Sequence, residues 1–598
     1  MAPLPSSSLF SFSLLFFALL PSILSLPDRY DVQTLAAIDQ SPDSQRNDLD
    51  WEWQRTGFHF QPVKNWMNDP NGPLFYKGVY HLFYQWNPYA AVWGNITWGH
   101  AVSTDLIHWK YVKELALVPD RWYDIKGVWS GSATIVNGEP ILLYTGWTNS
   151  STQVQNKAVP KNSSDPLLRE WIKVDAENPF AVPPPGINTS DFRDPTTAWI
   201  GQDGLWRTAV GSKYRANDTG IILQYRSKDF AKWELLDESL HAVNGTGMWE
   251  CPDFFPVAVH GQQGSENYLG EENAIQKFVI KVSLDETRFD TYVVGDYDPA
   301  SEKFLPSFEA LDIGTALRYD YGIYYASKSF YDPHKKRRVL LGWINEADKP
   351  TSDIRKGWAS VQAIPRVVWL DENQHSLRQW PVPEINSLRK HPIRHTDLLL
   401  KQGEVFKVNG SQGSQLDIEV TFQIPKAHAN DENDEFNFES SRVEGIPNNT
   451  LIYCNGSFPE AEQIIGPFGV HVLASEDLRE RTSVFFKFLK FKGSWKTMVC
   501  NDLTSSSLAS DATKGVYGGL VSLSSYKNRQ ALTMRILVDH SIVETFAQGG
   551  RTCITARSYP LLGSDNNAHM FVFNNGSLPV KATHLAVWKM DKIRYTTV

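Results

Sequence analysis

The chain has 598 residues, which is too long for one compact core, so at least two domains are expected. Its hydrophobic share of 42% and charged share of 21% are those of a soluble globular protein. A formal net charge of -9 argues against nucleic acid as the main partner, because phosphate binding needs a basic surface. The basic run at residues 335–338 follows a turn-like sequence and precedes an apolar strand, so we interpret it as a solvated hairpin.

The N-terminal residues 1–25 resemble a secretory signal peptide, because their apolar stretch is short and is followed by Pro21 and Ser25. No later segment approaches a membrane span, so the mature chain is expected to be soluble. Asn-x-Ser/Thr sequons exceed the roughly five that chance would give, which favours a glycoprotein. These sequons begin at Asn95, Asn149, Asn162, Asn188, Asn217, Asn244, Asn409, Asn448, Asn455 and Asn575.

Four cysteines in a chain of this length do not make a disulfide framework. Cys454 and Cys500 both lie in strand-like surroundings in the C-terminal third and could form one bridge. Cys553 lies in a strand-like segment and is interpreted as a buried thiol, while Cys251 adjoins a candidate catalytic acid.

Residues 50–385 are predicted to be all-β, because short strands alternate with turns rich in Gly, Asn, Asp and Pro. An all-β domain of this size must avoid exposed sheet edges, and radial blades around an axis do so. A propeller is therefore predicted, although spacing alone does not give the number of blades.

A change in the sequence pattern near residue 380 predicts a second domain. A short helix-like stretch at residues 384–390 leads into a strand-rich region, residues 395–598. Residues 416–422 alternate at period two, which predicts a β-sandwich with one face buried. The acidic segment 430–435 is interpreted as an exposed loop and not as a metal site.

Three short motifs place a carboxylate in an unusual setting. Asp69 lies in a turn-like segment between a Trp-containing stretch and a strand, and taken alone it could be a turn carboxylate. Asp194 follows Arg193, and taken alone the two could form a structural ion pair. Glu250 lies between Trp249 and a cysteine, an apolar setting that would raise the pKa of Glu250 and keep it protonated as a general acid.

Together, and in this order, the three motifs resemble those of glycoside hydrolase family 32, the β-fructofuranosidases. The resemblance is strongest to the plant acid invertases and fructan exohydrolases, and it runs from about Phe58 to the C-terminus. Further matching stretches are residues 83–88, 92–95, 129–134, 319–322 and 364–366. The resemblance implies a five-bladed β-propeller followed by a C-terminal β-sandwich, and a retaining hydrolase that needs no metal or organic cofactor.

The resemblance also implies roles for individual residues. Asp69 corresponds to the nucleophile, Glu250 to the acid/base and Asp194 to the stabiliser of the transition state. Arg193 is expected to help Asp194 hold the fructose hydroxyls. Other matching positions are expected to bind the sugar, although for each tryptophan a structural role in a β core is an equal alternative. These positions are Asn68, Gln85 and Ser130 for hydrogen bonds and Trp66, Trp93 and Trp129 for the pocket wall.

The leaving group is harder to predict, because invertases and fructan exohydrolases share all three carboxylates. Pro252 resembles the cell-wall branch, and the exohydrolases share it. In sucrose-cleaving members an Asp with a Lys three residues later helps to bind glucose; here Asp285 is followed by Arg288, which keeps the charge and can hold Asp285 by a forked pair. We expect sucrose as the main substrate, with a merely structural surface pair as the alternative for these two residues.

The predicted function is therefore a secreted, retaining β-fructofuranosidase of the cell-wall acid-invertase type, which hydrolyses sucrose to glucose and fructose. A fructan exohydrolase acting on inulin or levan is the first alternative, followed by a fructosyltransferase and a catalytically silent fructoside-binding protein. The expected location is the cell wall, with the vacuole as alternative because a pI near 6.0 is low for retention on an anionic wall. A monomer is expected, and a proteinaceous inhibitor is considered as a partner.

Overall fold

The computed structural model describes residues 52–259, 261, 276–314, 317–424, 454, 461–491, 494–521 and 531–598. The predicted signal peptide, the acidic segment 430–435 and the sequons at Asn448 and Asn455 lie outside the described residues. The described chain consists mainly of strands, joined in places by helix α1 (Pro350–Lys356) and short 3₁₀ helices such as Pro383–Leu388. No helix among these residues is long and apolar enough to cross a membrane.

Five mainly antiparallel sheets form the blades of a propeller. The first contains β1 (Asn65–Tyr76), β2 (Val79–Trp86), β3 (Thr97–Ser103) and β4 (Trp109–Tyr111). The second contains β5 (Gly127–Val136), β6 (Glu139–Trp147), β7 (Gln153–Pro160) and β8 (Trp171–Lys173). The third contains β9 (Phe192–Arg193), β10 (Trp199–Ile200), β11 (Trp206–Tyr214), β12 (Thr219–Ser227), β13 (Trp233–Leu235) and β14 (His241–Val243).

The last two blades follow the same plan. The fourth contains β15 (Trp249–Ala258), β16 (Gln276–Leu284), β17 (Phe289–Asp298) and β18 (Lys303–Pro306). The fifth contains β19 (Tyr324–Asp332), β20 (Arg337–Ile344), β22 (Val361–Gln362), β23 (Arg366–Leu370) and β24 (Leu377–Pro381). Between β20 and β22 in sequence, β21 (Trp358–Ala359) pairs in parallel with β1 and so joins the fifth blade to the first.

The blades are built from hairpins whose turns the sequence specifies. Asn137 and Gly138 join β5 to β6, and both have positive φ, which the type I′ hairpin turn requires. The inner strands contact one another around the ring: β1 contacts β5 and β19, and β15 contacts β11 and β19. The ends of these inner strands therefore meet near the propeller axis.

A β-sandwich of two six-stranded sheets follows. Its strands are β25 (Arg389–Leu400), β26 (Glu404–Lys407), β27 (Gln415–Gln423), β28 (Gln463–Ala474), β29 (Thr482–Phe491), β30 (Ser494–Asp502), β31 (Val516–Val521), β32 (Ala531–Asp539), β33 (Ile542–Ala547), β34 (Thr552–Arg557), β35 (His569–Asn574) and β36 (Val580–Met590). The period-two residues Leu416, Ile418, Val420 and Phe422 of β27 lie in the core, as predicted. Strand β37 (Thr596–Thr597) leaves the sandwich and pairs with β4 of the first blade.

Three of the four cysteines, Cys454, Cys500 and Cys553, take the predicted states. Cys454 and Cys500 form a disulfide, and Cys251 and Cys553 are buried free thiols. Glycosylation stays a prediction. Of the sequons in the described chain, Asn188 is half-buried and the others are exposed.

The basic run at residues 335–338 does form a hairpin, between β19 and β20, but only part of it is solvated. Arg337 is buried between Asp332 and Glu384, at 3.0 Å and 2.7 Å, and Arg338 is also buried. The expectation of a fully solvated run was wrong, because carboxylates from its own hairpin and from the Pro383–Leu388 helix supply partners for the charge.

Candidate active site

The inner strands of four blades are irregular at one end of the propeller axis, which forms the mouth of the propeller. The strand register shifts between Met67 and Pro70 in β1, between Val128 and Gly131 in β5, between Glu250 and Asp253 in β15, and between Tyr325 and Lys328 in β19. Such bulges turn side chains out of the regular alternation and are common beside active sites. They bring residues far apart in sequence to one place.

Two of the candidate carboxylates are half-buried within otherwise buried stretches. Asp69 is half-buried while its neighbours Asn68 and Pro70 are buried, and the same holds for Glu250 between Trp249 and Cys251. Asp194 is buried and has a positive φ of 70°. The mouth of the propeller is therefore where Asp69 and Glu250 reach the solvent.

Asp69 is held by hydrogen bonds on both oxygens. The Asn68 side-chain amide donates to Oδ1 at 3.0 Å, and the Ser130 hydroxyl donates to Oδ2 at 2.5 Å. Gln85 links these two donors, because it accepts from Asn68 at 2.7 Å and donates to Ser130 at 2.6 Å. The Trp66 indole N–H donates to Asn68 at 2.9 Å. Four predicted sugar-binding residues thus form one network that orients Asp69.

Cys251 connects Asp69 with Asp194. Its backbone N–H donates to Asp194 Oδ2 at 2.8 Å, and its thiol sulfur lies 3.5 Å from that oxygen and 3.6 Å from Asp69 Oδ2. The Asp194 backbone N–H donates in turn to Thr145. The two aspartates therefore face the same thiol.

Glu250 lies in a ring of alternating charges. Arg193 donates to Oε1 through Nε and a terminal nitrogen, at 3.0 Å and 2.9 Å, and also binds Asp285 at 2.8 Å. Arg288 lies 2.9 Å from Asp285 and 3.5 Å from Glu250 Oε2. The Tyr325 hydroxyl donates to Oε2 at 2.6 Å. Asp285 and Arg288, predicted to contact the leaving group, are thus brought to Glu250.

The surroundings shift the pKa values of the carboxylates at the mouth. Burial, together with the nearby charges of Asp194 and Glu250, raises the pKa of Asp69 to about 7. Burial also raises the pKa of Asp194. The charge of Glu250 and then burial raise the pKa of Asp285 to about 6.

The expectation of a raised pKa for Glu250 was wrong. Burial alone would raise the pKa of Glu250, but the charges of Arg193 and Arg288 and the Tyr325 hydrogen bond outweigh burial and lower it. The sequence neighbour Trp249 packs into an apolar core on the other face of the strand, because successive side chains of a strand point to opposite faces. The carboxylate therefore faces Arg193 of the third blade and Arg288 of its own blade.

Aromatic rings extend along one side of the mouth. Trp93 is 40% exposed, and its ring centroid lies 5.9 Å from that of Trp129, which lies 5.2 Å from that of Trp147. Trp66 is buried, and its ring centroid lies 5.8 Å from that of Trp343. Trp93 is thus open to a ligand, whereas Trp66 mainly supports the Asp69 network.

Tyr325 and Trp343 are site residues that the sequence motifs do not mark. Tyr325 reaches Glu250 from a blade 75 residues further along the chain. No local sequence pattern shows that β19 reaches the mouth, so the sequence carries no signal for Tyr325.

One group of three acids in the described residues lies close enough to hold a metal ion: Glu346, Asp348 and Asp353. The Lys356 ammonium already lies among them, 3.0 Å from Glu346 and 2.8 Å from Asp353. Its charge takes the place that a cation would need.

Comparison with known proteins covers almost the whole described chain. Residues 59–381 match the glycosyl hydrolases family 32 N-terminal domain, and residues 384–589 match the family 32 C-terminal domain. The chain is 50% identical to beta-fructofuranosidase 1 of Zea mays over 554 residues, which is 90% of this chain and 80% of that protein. It is 47% identical to the insoluble beta-fructofuranosidase isoenzyme CWINV1 of Arabidopsis thaliana over 545 residues, 90% of each chain.

The solved structures show the same architecture. Fructan 1-exohydrolase IIa from Cichorium intybus is 41% identical, with a TM-score of 0.84 over 92% of this chain and 99% of that one. A variant of the same enzyme has been solved in complex with 1-kestose.

Proposed function

Because this chain belongs to the family 32 glycoside hydrolases, we propose that it is a retaining β-fructofuranosidase that releases fructose from sucrose. The observation that supports this most is the placement of Asp69 and Glu250 as two differently held carboxylates at one mouth, with Asp194 beside them. In such a mechanism one carboxylate attacks the sugar and the other handles the proton.

In the proposed reaction, Asp69 attacks the anomeric C2 of the fructosyl unit. The C2–oxygen bond to glucose breaks as Glu250 transfers its proton to the departing oxygen, and a covalent fructosyl ester forms on Asp69. Glu250 then takes a proton from water, whose oxygen attacks C2 as the C2–oxygen bond to Asp69 breaks, which releases fructose and the free Asp69 carboxylate. Asp194 and Arg193 hold fructose hydroxyls, and the Asp194 charge stabilises the positive charge that develops near C2.

This reaction needs one proton on the two carboxylates, held by Glu250 while Asp69 is ionised. In the free site the arginines favour ionised Glu250, while burial favours protonated Asp69. The reactive form, with Glu250 protonated and Asp69 ionised, is therefore the less populated arrangement of that proton in the free site.

Sucrose is proposed as the main substrate because Asp285 and Arg288 lie beside the acid/base, where the leaving glucose must stand. A specific observation favours the exohydrolase alternative: both oxygens of Asp285 already bind arginines, at 2.8 Å and 2.9 Å. This leaves fewer lone pairs for glucose hydroxyls.

A release assay with sucrose, inulin and levan side by side separates the two functions. We expect the highest kcat/KM on sucrose, and Asp285→Ala should raise the KM for sucrose by about 10-fold, the loss of one charged hydrogen bond. Asp296→Ala, a change of a more exposed aspartate on the same blade, is the matched control. Fructose release from fructans with little from sucrose would overturn the substrate proposal.

We also propose export to the cell wall, with the vacuole as alternative. The signal-like N-terminus, the exposed sequons and the disulfide support entry into the secretory pathway. A fluorescent fusion followed in plant cells, with and without residues 1–25, tests the location. Retention in the cytosol by the full chain would contradict it.

A further inference from the structure

The bulges of β15 and β19 leave backbone groups that cannot pair within their sheets. Cys251 and Ala326 both have positive φ, 44° and 51°, so the chain turns sharply at each. Buried backbone groups need hydrogen-bond partners. The groups concerned are the carbonyls of Cys251 and Ser327 and the N–H groups of Ala326 and Ser327.

One buried ion pair satisfies all of these groups. The Lys281 ammonium, from β16, donates to the Cys251 carbonyl at 3.2 Å and to the Ser327 carbonyl at 2.7 Å. The Asp290 carboxylate, from β17, accepts from the N–H groups of Ala326 at 3.1 Å and Ser327 at 2.9 Å.

The two charges also bind each other. Lys281 Nζ lies 3.3 Å from Asp290 Oδ2, and the Ser283 hydroxyl bridges them, accepting from Lys281 at 2.8 Å and donating to Asp290 at 2.5 Å. Both side chains are fully buried. A buried ion pair adds little net stability compared with apolar side chains of the same size, so stability alone is a weak reason for this pair.

The two bulges that this pair supports hold the two halves of one catalytic contact. Glu250 directly precedes Cys251, and Tyr325 directly precedes Ala326. The Tyr325 hydroxyl donates to Glu250 at 2.6 Å. We infer that Lys281 and Asp290 are positioning residues that fix the acid/base Glu250 against Tyr325. This inference rests on the proposed function.

If these residues position the acid/base, the loss of activity in a variant should depend on the leaving group. If their role is only structural, the loss should be the same for every leaving group. Glucose must be protonated as it leaves, whereas fluoride needs little help from an acid. Lys281→Met removes the charge but keeps most of the side-chain volume. Its activity should therefore fall selectively on sucrose relative to β-D-fructofuranosyl fluoride.

We expect Lys281→Met to lower kcat for sucrose by about 100-fold, the lower end of what general acid catalysis contributes. The kcat for the fluoride should fall by less than about 5-fold, and the KM for sucrose should change by less than about 3-fold, because the sugar contacts stay in place. Lys487→Met changes a buried lysine of the sandwich and is the matched control; it should not change the ratio of the two kcat values.

Ser283→Ala serves where Lys281→Met does not fold, because it removes one hydrogen bond and no charge. It should lower kcat for sucrose about 5-fold, with a smaller effect on the fluoride. An equal fall on both substrates, or no fall in a folded variant, overturns the positioning role. Wild-type protein that hydrolyses neither substrate refutes the proposed function instead.

Discussion

The mouth of the propeller and the junction between propeller and sandwich both bury carboxylates beside cationic groups. At the junction, His59 lies 2.8 Å from Asp539 and 3.0 Å from Glu544. Arg366 lies 2.9 Å from Glu544 and 2.9 Å from Asp320. All five side chains are fully buried. At the mouth, Glu250 and Asp285 share Arg193 and Arg288, while Asp69 has no arginine partner among the described residues.

The difference appears in the protonation of the two regions. At the junction, hydrogen bonds and charges outweigh burial, so the pKa values of Asp539 and Glu544 are lowered and that of His59 is raised to about 9. At the mouth, burial and two neighbouring carboxylates raise the pKa of Asp69 to about 7. The carboxylates of the junction are thus paired with cationic groups, whereas Asp69 at the mouth is held by the uncharged donors Asn68 and Ser130.

The largest effect is expected for Asp69→Asn. Loss of the nucleophile should lower kcat by about 10⁴-fold or more. The melting temperature should rise or stay constant, because an ionised Asp69 with a raised pKa opposes folding above pH 7. Sucrose turnover and thermal unfolding at pH 7.5 measure both quantities. A variant that keeps a tenth of the activity would remove the nucleophile assignment.

Glu544→Gln should show the opposite pattern. It leaves the charges of His59 and Arg366 partly unpaired in a buried site, which destabilises by about 3–5 kcal/mol. Urea unfolding measures the loss, and kcat per folded molecule should be unchanged because Glu544 belongs to the junction. A large fall in kcat without loss of stability would show that Glu544 acts in catalysis and not in the stability of the junction.

Activity and stability should depend on pH in different ranges. Activity should fall as pH rises through about 7, because the site then loses the proton that burial holds on Asp69 and that Glu250 must donate in the reaction. The folded pKa of His59 is raised from 6.5 to about 9, so its stabilisation is complete below about 6.5 and is lost as pH rises through 9. Rate profiles and melting temperatures from pH 4 to 10 test this. Coincident transitions would contradict it.

The smallest effect is expected for Arg288→Lys, which keeps the charge. Lysine cannot hold Asp285 with a rigid fork, which frees an oxygen of Asp285 for a glucose hydroxyl, so the KM for sucrose should fall about 2–3-fold, with kcat nearly constant. Initial-rate kinetics on sucrose measure it. A higher KM would show that Arg288 itself contributes to glucose binding.

The sequence predicted the parts of the molecule that depend on local patterns. The hairpin turns and the alternation in β27 follow from local backbone chemistry, and the family motifs identified Asp69, Asp194 and Glu250 as one set. The sandwich and the Cys454–Cys500 bond were also predicted correctly.

What the sequence did not predict depends on contacts between blades. The pKa of Glu250 was misjudged because Trp249 and Cys251 are its neighbours in the chain, while Arg193 and Tyr325 are its neighbours in space. The Lys281–Asp290 pair was missed for the same reason, since its four backbone partners lie on two other strands.

Strand β37 has a consequence for how the protein is made. It pairs with β4, so the first blade to leave the ribosome stays one strand short until residue 597 has been synthesised. The same blade also waits for β21 at residues 358–359. A nascent propeller therefore exposes two open sheet edges, and unpaired edges can pair with other chains. Completion of the first blade must therefore be among the last steps of folding.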